Sequence, residues 1–199
     1  MSIGIKSVLI RYGILLLLGL GNLFIFYLLA TPLTVYPVFA LLNSLYGADL
    51  LRGDFSSTCD IATNTLPILK NIACMNTTIL FKGYFASIIS ACIAGSAYYL
   101  LLILNLTTPM KKSQRVKSIT FLMLSFLAIN ILRITIFAII FANNGFEIFN
   151  IAHAATWYFG SSVLVGLLWF SNVILFKIHN IPIYTDVKNI INQIKNHRK

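Results

Sequence analysis

Read for hydropathy, the chain is a series of long apolar runs separated by short polar segments. The runs at 12–30, 89–106, 118–141 and 153–176 each come near or above the ~20 residues that a ~30 Å hydrocarbon layer requires. A further run, LTVYPVFALLNSLYGADLL at 33–51, carries Pro37, Asn43, Ser44 and Asp49. It reads either as an extra span or as an amphipathic helix lying flat on the outer surface. Residues 52–88 mix polar and apolar positions. Within them, TTILF and the alternation after Gly83 suggest two short strands around a Lys82–Gly83 turn, a candidate β-hairpin leading into the next span. The segment 177–199 has Ile and Val at helical spacing beside a basic face, the pattern of a tail resting on the inner leaflet. The expected fold is therefore a single all-α integral membrane domain: about four transmembrane helices, a flat amphipathic outer helix, and a small β-hairpin before Cys92.

Composition narrows the class. With 199 residues, 58% of them hydrophobic, 10% charged and a mean hydropathy of +0.86, the chain is too apolar for a water-soluble domain of its size. The first run follows Lys6 and Arg11, but TPLT is a poor cleavage site, so a retained span is expected rather than a signal peptide.

Charge sets the expected topology. Of 15 Lys and Arg, two lie at the N-terminus, four in TTPMKKSQRVK, five in the tail and three in 52–91; the last is Arg133. Counting basic residues in the short loops puts both termini and the 107–117 loop in the cytoplasm, with 52–91 and 142–152 outside the cell membrane. This parity favours four spans with 33–51 on the surface. The net charge of +10 is explained by topology and anionic lipid headgroups, and no nucleic-acid partner is expected.

Cys59 and Cys74 fall in the external segment, where one disulfide would close a loop of about 15 residues. That leaves Cys92 as a free thiol. No CxxC and no zinc-like cysteine and histidine spacing occurs, so neither metal nor cofactor is expected. Lys82, in the candidate turn, reads as a solvated residue, with steering of a substrate carboxylate as the alternative.

Arg133 interrupts the run FLAINILRITIFAII. An arginine within a span costs at least a few kcal/mol and should face a partner or water, so it marks a functional site by default. Three polar residues reach one depth. Cys92 lies 19 residues before Lys111, or ~28 Å of helix, and Arg133 lies 16 residues after Lys117, or ~24 Å. His153 stands 24 residues before Lys177, at the outer surface. Asn130 shares a helical face with Arg133. A thiol nucleophile, an imidazole and a cation that stabilises thiolate and oxyanion charge are the parts of acyl transfer.

ACIAGSAYYLL at a span start, NILR one span later and His153 opening the last span resemble the exosortase/archaeosortase family, across about residues 89–176; the short chain is closest in size to an archaeal member. The 33–51 segment is similar to that family's flat helix. Where many members have Ser-Gly or Thr-Gly after the cysteine, this chain has Ile93-Ala94-Gly95. The resemblance implies a membrane transpeptidase or protease that recognises the C-terminal sorting tail of an exported protein, cleaves it through a cysteine thioester, and passes the chain to a lipid acceptor. It implies Cys92 as nucleophile, Arg133 for the oxyanion or substrate, His153 as general acid or base, and Asn130 in support. Spacing leaves open whether Arg133 or His153 handles the proton. The rival reading is a non-catalytic membrane scaffold, or a lipid- or partner-binding subunit using Arg133.

Overall fold

The computed structural model describes residues 23–51, 77–108 and 110–178, together with positions 13 and 16. It is mainly helical, with one small sheet: α1 (Phe24–Tyr46), β1 (Asp49–Leu51), β2 (Thr78–Phe81), β3 (Tyr84–Ser87), α2 (Ser90–Ile93), α3 (Gly95–Thr107), α4 (Lys112–Ala155), a π-turn (Thr156–Gly160) and α5 (Ser161–Leu175). Three helical stretches, Phe26–Tyr46, Ser90–Thr107 and Lys112–Leu175, are long and apolar enough to cross a membrane.

The first departure from the sequence reading is α1. The sequence placed a boundary at 31–32, between a span and a surface helix, yet one helix runs through it with Pro32 and Pro37 inside. Each proline removes a helix hydrogen bond. The helix survives because Thr34, Val35, Val38 and Leu42, spaced at three and four residues, are buried almost completely in the bundle core. The Thr31 hydroxyl donates to the Tyr27 carbonyl one turn back (2.6 Å). At its far end α1 closes on Gly47, and the last residues of the expected surface helix form strand β1 instead.

The expected hairpin is present. β2 and β3 pair antiparallel with Thr78 opposite Ser87 and Phe81 opposite Tyr84, and β1 adds to the other edge of β2. Lys82 and Gly83 both have positive φ (50° and 78°), the geometry of a two-residue turn whose twist matches its strands. Ile79 and Phe81 point into the core, and Phe81 meets Tyr46 of α1. The turn is not free in solvent: Lys82 Nζ donates to Asn143 Oδ1 (2.8 Å) and lies 4.4 Å over the Tyr46 ring.

The second departure is the expected loop at 142–152, which is helical except at one residue. Gly145 has φ 79° and ψ −178°, a conformation that is essentially confined to glycine. There the chain folds back on itself. Phe141 and Phe149, four residues either side of Gly145, have ring centroids 5.5 Å apart; Phe137 and His153, eight residues either side, are at 5.7 Å. Sixteen residues of straight helix would separate the latter pair by ~24 Å. The register continues to Ser118 and Asn172, each 27 residues from Gly145, whose side chains hydrogen-bond at 2.8 Å. The Lys112–Leu175 stretch is therefore two antiparallel legs.

Candidate active site

The site begins with a break in the helix that carries Cys92. α2 ends after one turn because Ala94 adopts a left-handed conformation (φ 57°), and α3 starts at Gly95. α1 crosses there so closely that a Cβ on Gly95 would lie 2.8 Å from the Tyr27 ring. A helix end leaves carbonyls that need donors. Asn130 supplies one, its Nδ2 donating to the Cys92 carbonyl (3.0 Å) and the Ile93 carbonyl (3.4 Å). Arg133 supplies another, Nη2 donating to the Cys92 carbonyl at 3.2 Å. Asn130 and Arg133 thus share one helical face, as their spacing indicated, and both hold the backbone of Cys92 rather than its sulfur.

On its other side the guanidinium donates through Nη1 to Ser161 Oγ (3.3 Å), and the Ser161 hydroxyl donates to the Thr156 carbonyl (3.3 Å). Neither residue stood out in the sequence. The signal available was four-residue spacing, His153-Trp157-Ser161, which lays three side chains along one helical stripe.

Cys92, Arg133 and His153 line a cavity of about 330 Å³, walled by β3, α2, both legs of the helical hairpin and the π-turn. Its lining is mostly apolar and rich in aromatic rings: Phe81, Phe85, Phe137, Phe141, Phe146, Phe149 and Trp157 take part. His153 is held by rings, stacked on Phe149 (5.3 Å, 17°) and Trp157 (6.4 Å, 25°), with the edge contact to Phe137 completing the sandwich. Among the described residues no carboxylate lines the cavity, and Arg133 is the one permanent charge they place there. Asn130 is 1% exposed and lies behind the cavity wall, its Oδ1 buried and without a hydrogen-bond partner among the described residues.

Of the four residues placed in the candidate site, Cys92, Arg133 and His153 therefore share the cavity and Asn130 braces the backbone of Cys92. Cys59 and Cys74 lie outside the described residues. Among the described residues no cluster of three or more His, Cys, Asp or Glu could hold a metal ion. A thiol, an imidazole and a guanidinium around a largely apolar cavity can attack a carbonyl, move a proton and stabilise an oxyanion. No protein-family model matches the chain, and no curated protein or solved structure matches it either.

Proposed function

We propose that the protein is a cysteine transpeptidase or peptidase of the exosortase/archaeosortase kind, which cleaves the C-terminal sorting tail of an exported protein and passes the freed chain to a lipid acceptor. The observation that carries this reading is the convergence of Cys92, Arg133 and His153, from three separate stretches of sequence, on one cavity. The Cys92 thiolate attacks the scissile carbonyl carbon and the carbonyl electrons move onto oxygen, where N–H groups of Arg133 receive the charge. Collapse breaks the C–N bond, and the departing amine takes up the proton that left the thiol. His153 carries that proton, because an imidazole can accept and release one whereas a guanidinium does not give its proton up. The product is a thioester. An acceptor hydroxyl then attacks the thioester carbonyl, loses its proton to the imidazole and expels the thiolate.

The chain is read here as a multi-pass protein of the cell membrane, with both termini cytoplasmic and the site on the outer side. Lys111, Lys112, Arg115 and Lys117 supply the inner boundary by their charge. Arg133 is 16 residues beyond Lys117, ~24 Å along the helix, close to the far side of a ~30 Å hydrocarbon layer. There a substrate tail and a lipid headgroup can both reach the cavity. The test is co-expression with exported proteins bearing a hydrophobic, basic-ended tail: wild type shortens such a protein by the tail mass and Cys92→Ala does not. Shortening that persists in well-folded Cys92→Ala would overturn the reading.

One observation favours a second reading, a non-catalytic scaffold or a lipid- or partner-binding subunit. Arg133 donates both to the Cys92 carbonyl at the end of α2 and to Ser161 of α5, tying two elements together as a residue that braces the fold does. On that reading Cys92→Ser is silent and Arg133→Lys is tolerated.

A further inference from the structure

We infer that Ser161, presented by the π-turn Thr156–Gly160, is a positioning residue that aims Arg133 at Cys92. The inference rests on the reading of Cys92 and Arg133 as one site. A guanidinium has five N–H donors in a fixed plane, so two anchors on different nitrogens set its orientation. Nη2 is anchored on the Cys92 carbonyl and Nη1 on Ser161 Oγ. Among the described residues each of these nitrogens makes one hydrogen bond, which leaves three N–H groups for a ligand. Loss of the Ser161 anchor would leave the side chain free to swing about the single remaining bond.

The π-turn orients the serine. The Ser161 backbone N–H bonds to the Thr156 carbonyl, five residues back, where an α-helix would use Trp157. The Ser161 hydroxyl donates to the same carbonyl. Its hydrogen is thereby committed, and the lone pairs of Oγ are turned toward the guanidinium. The Thr156 hydroxyl donates to the Ala152 carbonyl (2.9 Å), and the Gly160 backbone passes so close to Thr156 that an added Cβ would lie 3.0 Å from Thr156 Cγ2. Such single π-turns recur at functional sites. Here the turn also puts Thr156 and Trp157 in the cavity wall beside His153, so one local irregularity shapes the wall and aims the cation.

The test measures charge at the thiol rather than turnover. Full-length protein in detergent is alkylated with neutral iodoacetamide or with iodoacetate, and the rate at the Cys92 peptide is followed by mass spectrometry. The iodoacetate to iodoacetamide rate ratio reports a cation beside the sulfur and cancels changes in access or packing. Ser161→Ala is expected to lower the ratio about fivefold, and Arg133→Gln at least as far. Ser161→Thr, which keeps a hydroxyl, should restore the wild-type ratio, and Ser161→Ala added to Arg133→Gln should change nothing further. A wild-type ratio in Ser161→Ala beside a lowered one in Arg133→Gln would overturn the positioning role. An unchanged ratio in both would overturn it too, by removing Arg133 from the thiol. Either result leaves the nucleophile to be decided separately by tail cleavage in Cys92→Ala.

Discussion

Both ends of the bundle bury polar side chains, and they hold them differently. Away from the sheet, Asn105 of α3, Ser118 of α4 and Asn172 of α5 form a chain in which Asn105 Nδ2 donates to Ser118 and Ser118 donates to Asn172. All three residues are fully buried. Beside them Arg115 donates to the carbonyls of Asn105, Leu106 and Thr108, covering the end of α3. Near the sheet, Cys92 of α2 and Arg133 and His153, one on each side of the Gly145 break in α4, surround open space and are only partly buried. The first cluster joins helices, as polar residues do where no water competes. The second leaves a guanidinium, an imidazole and a thiol facing a cavity. A polar residue in an apolar run is thus ambiguous until its neighbours are known: Arg115 and Arg133 both bond to carbonyls at a helix end, and only Arg133 borders a cavity.

Substitutions can break this contrast. The largest effect is expected at the open end, where Cys92→Ala should lower tail cleavage by at least about 10³-fold while the melting temperature holds, measured by mass shift and thermal unfolding. At the fold itself, Gly145→Ala forces a side chain into a glycine conformation and should cost about 1–3 kcal/mol, read from unfolding in mixed detergent. Gly95→Ala crowds the Tyr27 ring and is expected to cost a similar ~1–3 kcal/mol and to disturb the Cys92 turn, so cleavage and stability fall together. At the closed end, Asn172→Leu should cost about 1 kcal/mol and leave the iodoacetate to iodoacetamide ratio at Cys92 unchanged. A ratio that moved would mean the two ends are coupled. Smallest is Lys82→Ala, which releases the hairpin turn from Asn143 and Tyr46 for less than about 1 kcal/mol, seen as faster proteolysis near residue 83.

Several parts of this architecture were legible along the chain. The hairpin was marked by alternation around Lys82–Gly83, since a two-residue turn with both φ positive favours glycine at its second position. Asn130 and Arg133 on one face followed from helical spacing alone. The continuity of α1 was hidden, because local rules end a helix at Thr31-Pro32 and only the buried face against α4 keeps it whole. The 142–152 segment was equally misleading: Asn143-Asn144-Gly145 and Glu147 have the composition of a loop, while edge-to-face contacts of Phe137 and Phe141 with Phe149 hold two helices with one residue between them. Strand β1 depends on a partner far along the chain, Leu50 pairing with Ile79, and no local pattern announced it.

By itself the sequence determined the apolar character of the helices, the hairpin turn, and the presence of a thiol, a guanidinium and an imidazole at comparable depth, because hydropathy, turn preference and helical rise act over a few residues. Tertiary structure alone decided that Arg133 grips the Cys92 carbonyl, that Ser161 holds it from the other side, and that aromatic rings enclose the space between. Those outcomes depend on how far and at what angle separate helices pack, and a chain of residues carries that information only through the sum of its contacts.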